Sequence, residues 1–395
     1  AQLALDAGRI AEAETSVRRA EALPRGVDAA IALDLASADL ARARSDVIGA
    51  EAHQRQALER CLAHGRPTGR AWLGLCASFL DRGDLSGAGE AGRAAVEALR
   101  HTGDAALTIA LSNLAVAVRR SGRPAEARAL LLEAEAVDRR VGAVANLASD
   151  LANLAILDAH EGHLEASLAT FQASIDGFLA CGMRGAGAQQ RSNLAEVSMI
   201  VGRVEEARRS AQLALEVHEE LGQHRLIGHA LHLLATLATS DGATDEARAL
   251  LIRARGHHER ARSPGVALVD LELAFLALRE GRLDEATALA EAAVSALEGH
   301  AADRALALAA RGEARAAAGH PGARADLDEA VATLRRVSPT SAPRALCALA
   351  RATRDPSVLD AAERDPDTWT VRQGSPMAQE VARTRRLLGG ATVRG

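Results

Sequence analysis

The chain has 395 residues, is 48% hydrophobic and 25% charged, and carries 47 basic against 52 acidic side chains, for a formal net charge of −5. Mild acidity and scattered cations exclude nucleic acid as the main partner. No apolar run reaches the roughly 18 residues of a membrane-spanning helix, and no signal peptide opens the sequence, so a cytoplasmic protein without a membrane partner is expected.

Only 2% of residues are aromatic and no Tyr occurs, so the core must be Ala and Leu, which suits helices meeting over small side chains. With 10 Pro, 33 Gly and no alternating Val/Ile/Thr runs, the reading is all-α. Every cation other than His is Arg, which reads as GC-rich coding rather than selection for bidentate pairing. Cys61, Cys76, Cys181 and Cys347 form no CxxC pair and read as free, mostly buried thiols.

In chain order, the segment Ala1–Ala7 supplies the second half of a first helix. "GRIAEA" then ends at Ala13, and related six-residue segments end at Ala50 (with Ser45 in the Gly place), Ala88, Ala127, Ser167, Ala207, Ala247 and Ala286. "GHPGA", one residue shorter, ends at Ala323. The steps between these anchors run from 37 to 40 residues. Seven residues after each anchor stands a second small residue: Ala20, Ala57, Ala95, Ala134, Ser174, Ala214, Ala254, Ala293 and Ala330. A fixed period of this length is the mark of a repeat array. Each unit reads as helix A, a tight turn and helix B. The Gly suits the left-handed position that ends helix A, and the acids after it suit the first turn of helix B. After about Val337 the period fades, and Pro339, Pro343, Pro356 and Pro366 punctuate short helical pieces before a last helix in "SPMAQEVARTRRLLGG". Two regions follow: a repeat array over 1–337 and an irregular helical cap over 338–395.

"AWLGLCASFLDRGDLSGAGEAGRAA" resembles the tetratricopeptide repeat family at Trp72, Leu75, Cys76, Phe79, Gly83, Ala88 and Ala95. The other units keep the Leu-Ala, Gly and Ala positions. The resemblance covers roughly residues 1–335, at a period nearer 40 than 34, like the long repeats of kinesin light chains and of bacterial signalling regulators. It implies a right-handed α-solenoid of about nine hairpins. A repeat array ends in a polar cap, so the half helix at Ala1–Ala7 reads as the cut edge of a longer protein with an effector domain upstream.

Three units carry a further feature. "LSNLAVAVRRSGRPAEA", "LANLAILDAHEGHLEAS" and "RSNLAEVSMIVGRVEEA" each place an Asn nine residues before the turn Gly: Asn113, Asn153 and Asn193. Helical spacing puts each Asn in a stripe: Ile109, Asn113, Val116, Arg120; Ser149, Asn153, Ile156, His160; Gln189, Asn193, Glu196, Ile200; and then His229, Leu233, Thr236, Ser240. The same position holds Gly74 upstream and Leu233, Glu272 and Ala310 downstream. The resemblance implies that the stripe lines a concave surface where an Asn amide pairs with both the N–H and C=O of an extended peptide. The candidate peptide contacts are Asn113, Asn153 and Asn193, with Ser149, Gln189, Glu196, Arg120, His160 and His229. Asn satisfied by a neighbouring helix is the structural alternative, and a folded-back segment of the chain is a third.

Other candidates are weaker. His229 and His232 share a spacing suited to metal, but "HEELG" fails the HExxH pattern, so with His218 and His224 they read as polar helix surface, while His257 and His258 suit the C-terminus of a helix B. "CGMRGAGAQQ" lacks the Gly-Lys-Ser/Thr of a phosphate loop and reads as a flexible loop between repeats. No metal, cofactor or catalytic residue is expected. The function expected is an interaction scaffold that takes a protein or peptide segment, as the sensor arm of a larger bacterial signalling protein. Self-association, or contact with an upstream domain, is the alternative.

Overall fold

A computed structural model describes residues 10–23, 25–44, 46–101, 105–364 and 372–391. The expected half helix Ala1–Ala7 and Ser45 lie outside them. All described regular structure is helical. The chain divides into two compact units, residues 1–161 with 176–181, and residues 162–175 with 182–395.

The first unit holds α1 (Ile10–Glu21), α2 (Val27–Ala43), α3 (Val47–Ala63), α4 (Gly69–Arg82), α5 (Leu85–Leu99), α6 (Ala105–Arg120), α7 (Pro124–Val141) and α8 (Val144–His160). Each helix packs on the next, and α2, α4, α6 and α8 also pack on one another in turn. This is the pattern of stacked hairpins, in which the A helices form one row. Helix α9 (Leu164–Ala180) is divided between the units. The second unit continues with α10 (Arg184–Ile200), α11 (Val204–Glu220), α12 (His224–Asp241), α13 (Thr244–Arg260), α14 (Gly265–Arg279), α15 (Leu283–Ala296), α16 (Ala301–Ala317) and α17 (Ala323–Val337). After a single 3-10 turn come α18 (Ala342–Thr353), α19 (Val358–Arg364) and α20 (Pro376–Ala391). Here too α10, α12, α14 and α16 form a row, and α18 packs on α16 and α17.

The anchors explain the stacking. Ala13, Ala50, Ala88, Ala127, Ser167, Ala207, Ala247 and Ala286 are all fully buried, and Ala323 nearly so. Of the second set only Ala20 stays partly open. With a methyl or hydroxymethyl at these points neighbouring helices close to contact, and Leu side chains fill what remains. The turns behave as the sequence indicates. Gly83, Gly122, Gly202, Gly242 and Gly281 all sit at φ between 71° and 82°, a region where a Cβ costs about 1–2 kcal/mol. Acids fill the first turn of most B helices, as Glu205 and Glu206 do in α11. The two earliest complete B helices are instead capped by side chains, Asp46 accepting from Gly49 N–H and Asp84 from Gly87 N–H, both at 2.9 Å.

Two expectations are corrected. The Gly-rich "CGMRGAGAQQ" is not a loop: only Cys181–Met183 forms the turn, and α10 begins at Arg184. Packing overrides the low helix propensity of glycine here, because a Cβ on Gly185 would press on Leu221 at 3.1 Å. His218 is not a surface residue, being 0% exposed, and His258, at the end of its helix as expected, is buried too at 6%. The His258 ring fills space left by two glycines: a Cβ on Gly228 or Gly265 would fall within 2.6 Å of it. Of the four thiols only Cys181 is exposed. Burial pushes the Cys76 thiol up to about 12 and Cys347 to about 11.

Candidate functional site

In the first unit the stripe positions of α6 and α8 look outward while the residues beside them are buried. Leu111, Leu114, Ala115, Leu154 and Ala155 are at most 6% exposed, whereas Asn113, Val116, Ser149, Asn153 and Ile156 are half-buried and Ile109, Arg120 and His160 exposed. Apolar flanks drive the helix in on one side and leave the amides on the other. The Asn113 and Asn153 side chains make no hydrogen bond among the described residues. Arg120 is engaged: its guanidinium donates to the Leu80 carbonyl at 3.2 Å, capping the end of α4. A cleft of about 360 Å³ opens beside Asn113, lined also by Ile109, Gly74, Gln54, Arg42 and Arg70.

Beneath this face lies a polar cluster that spacing along the sequence did not reveal. Asp138 on α7 and Asp150 on α8 are both buried, and the Ser112 hydroxyl of α6 donates to Asp150. Asn146 donates to the Thr108 hydroxyl at 3.1 Å. Burial, with the Asp138 charge alongside, outweighs the Ser112 bond and pushes the Asp150 carboxyl up to about 8; burial raises Asp138 too. One sequence signal existed. The repeat position of Asp138 holds Phe178, then His218 and His258, all buried, so it is a core position carrying an acid.

In the second unit the stripe is more occupied. Asn193 Nδ2 donates to Gln190 Oε1 one turn back on its own helix, at 2.8 Å. Gln189 is exposed, and Glu196 meets His229 Nε2 across α10 and α12 at 2.7 Å. At the positions where the Asn pattern stops, Leu233 and Ala310 are buried. Glu272 is held by Arg344 of α18 through two bonds of 2.5 and 2.6 Å, with His232 4.0 Å away. Burial pushes the Glu272 carboxyl up, but the Arg344 charge and bonds win and hold it at about 2. Arg344 also stacks 4.0 Å over the Phe275 ring. Neither His229 nor His232 is paired with the other.

The last helix closes one end of this row. α20 packs on α10, α12 and α18. Its Glu380 is gripped by Arg279 of α14 and by Arg351 of α18 at 2.7 Å. Arg351 in turn holds Glu313 of α16 at 2.5 and 2.8 Å and the Thr384 hydroxyl at 2.7 Å. Ahead of α20, the Gln373 carbonyl comes so close to Gly202 that a Cβ there would lie 2.5 Å away. Between α20 and the stripe remains a cleft of about 350 Å³, lined by Glu196, Ile200, Thr236, Arg344 and Met377. Sequence reasoning missed Arg279, Arg344 and Arg351, because Arg on a helix face reads as solvated until the partner carboxylate is located.

No described helix is long and apolar enough to cross a membrane. Residues 190–260 match the family model of the tetratricopeptide repeat. Several solved structures share the fold. A Rap protein complexed with competence and sporulation factor aligns over 91% of this chain and 99% of its own, at 14% identity and a TM-score of 0.64. The apo form of the quorum sensor NprR from B. thuringiensis aligns over 91% and 97%, at 14% identity and a TM-score of 0.55. The Rap conjugation gene regulator of plasmid pLS20, in complex with a Phr peptide, aligns over 68% and 74%, at 16% identity and a TM-score of 0.55. No curated protein sequence matches the chain. At such identities the likeness is one of fold. What recurs here every forty residues or so meets the tetratricopeptide-repeat model over residues 190–260, and the solved structures share its helical-hairpin fold.

Proposed function

We propose that this chain is an interaction arm that binds an extended peptide segment along its A helices. In the first unit Asn113 and Asn153 pair with the segment's backbone, and in the second Asn193 offers the same amide. Ser149, Gln189, Glu196, Arg120, His160 and His229 supply flanking contacts. The observation that carries this reading is the state of the amides. Half-buried Asn113 and Asn153 have no partner among the described residues, and Asn193 is held only by its own helix. An Asn kept for architecture would be bonded to a neighbouring helix; Asn113 and Asn153 are bonded to none among the described residues and stay partly open to solvent, where a ligand can reach them. A peptide backbone supplies both the donor and the acceptor. A structural neighbour that holds a Phr peptide makes such a ligand reasonable for the fold, and its regulator role favours an arm of a signalling or regulatory protein.

The test begins with random decapeptides displayed on phage and selected on the purified chain. Asn153→Ala weakens the selected peptides by about 1–2 kcal/mol and leaves Tm unchanged. A fall in Tm of several degrees, or unaltered binding, sinks the reading.

One observation favours a second reading. α20 already lies on the A-helix row of the second unit, held by buried ion pairs, so the arm has an intramolecular occupant there. A chain ending at residue 371 then binds the selected peptides more tightly than the full chain. Equal affinities would leave α20 a cap and nothing more.

A further inference from the structure

Gly74 interrupts the Asn pattern, yet its place is not empty. A Cβ built on Gly74 would fall 2.1, 2.2 and 2.3 Å from Cδ, Nε2 and Oε1 of Gln54. The carboxamide of Gln54, reaching over from α3, therefore occupies the space where a residue 74 side chain would begin. Both residues line the same cleft as Asn113.

Two irregularities in the repeat coincide here. Gln54 stands four residues after the anchor Ala50. In other repeats that position is Val17, Leu131, Phe171, Leu251 or Leu327, or else Gly or Ala, and it is buried each time. Gln54 is the one polar residue among the nine. Gly74 is likewise the one glycine among positions 74, 113, 153, 193, 233, 272 and 310. Gln54 is 2% exposed and its amide oxygen has no hydrogen-bond partner. A carboxamide unpaired at that depth is destabilising, and the other repeats show that an apolar side chain fits instead. Rotating the terminal amide exchanges oxygen and nitrogen, so either a donor or an acceptor can be turned to the cleft.

We infer that Gln54 is the amide of this repeat, delivered from helix B through the gap left by Gly74, and that it pairs with the backbone of the same extended peptide one repeat before Asn113. This rests on the peptide reading and lengthens the site within the first unit from two amides to three. Because the carboxamide begins where a Cβ would stand, it meets the segment about one bond deeper than Asn113 does.

The experiment uses a fluorescein-labelled decapeptide from the phage selection on the full chain. Gln54→Met keeps length and apolar fit and removes both hydrogen-bonding groups. The expected result is binding about tenfold weaker, with Tm held or raised. The double variant Gln54→Ala with Gly74→Asn moves the amide onto α4, as in the following repeats, and restores affinity to within about threefold. If Asn153→Ala weakens the peptide but Gln54→Met does not, the role of Gln54 is refuted and the groove stands. If both leave binding unchanged, or no peptide is selected, the groove reading falls and this inference with it. A drop in Tm of several degrees for Gln54→Met, without rescue of binding by the double variant, marks Gln54 as packing and overturns the proposal.

Discussion

Arg351→Met offers a direct measure of what holds α20 in place. Arg351 is 17% exposed and sits between Glu313 and Glu380, which are 13% and 12% exposed. Met keeps the stem and deletes the guanidinium, so α20 loses the Arg351 bonds to Glu380 and to Thr384, both at 2.7 Å, while Glu380 keeps Arg279 and, at 3.6 Å, Arg383. Removing one partner from a buried pair costs about 3–5 kcal/mol; residual exposure and the surviving Arg279 and Arg383 place this case near 3. At 1.4 kcal/mol per decade, that is about a hundredfold more open α20. Hydrogen exchange reads it: amides of α20 lose about two decades of protection while those of α12 and α13 keep theirs. The acid response has the same origin. Burial raises the Glu380 carboxyl, but Arg351 and Arg279 dominate and hold it below the usual range. Its contribution is present above about pH 4 and is lost as pH falls through the lowered value, so α20 opens in acid before the repeats do. Unchanged protection in α20, or an equal loss across the whole second unit, would refute the reasoning.

Two other predictions concern the scaffold. Asp150 has its carboxyl raised to about 8, so its neutral form favours the fold below about pH 4 and that contribution disappears as pH climbs toward 8. Asp150→Asn, which still accepts from Ser112, loses less Tm than the parent between pH 5 and pH 9; parallel curves would contradict this. Arg262 stands where Gly142, Gly182 and Gly222 stand one repeat apart, and holds φ at 48°. Replacing this exposed residue by Gly relieves about 1–2 kcal/mol of strain against about 0.5–1 of added unfolded-state freedom. A net gain of roughly 0.5–1 kcal/mol, seen as a higher urea midpoint, is expected; a lower midpoint would be against it.

How much of this was legible in the sequence follows from which forces are local. The hairpin is written in short-range terms: a left-handed Gly, an acid in the first turn, a small residue at each close approach. Gly202 and Ala207 alone place one hairpin. Even the last helix at "SPMAQEVARTRRLLGG" announces itself through its Pro start. Where α20 goes was not legible, because its partners Arg279 and Arg351 lie 101 and 29 residues from Glu380. Helical spacing put the stripe residues of α6 and α8 on one face, and they are half-buried or exposed there. It could not say that Glu272 would be taken by Arg344, nor that Asp138 and Asp150 would be buried side by side. The gap at Gly74 looked like an end to the pattern because the side chain that fills it belongs to another helix.

The slot shared by Gln54 and Gly74 has a consequence for how this chain can change. With Gln54 in place, a Cβ at position 74 would stand 2.1–2.3 Å from its carboxamide, so a side chain gained at 74 displaces that amide from its present place. Trimming Gln54 frees the space outright; otherwise its carboxamide must turn aside to admit a larger residue at 74. The same lock, with two keys instead of one, surrounds His258: neither Gly228 nor Gly265 can grow while the ring stands within 2.6 Å of both. In each slot the glycine and the polar side chain share one volume, so a change at one is felt at the other. Gln54 with Gly74, and His258 with Gly228 and Gly265, are therefore expected to vary as sets.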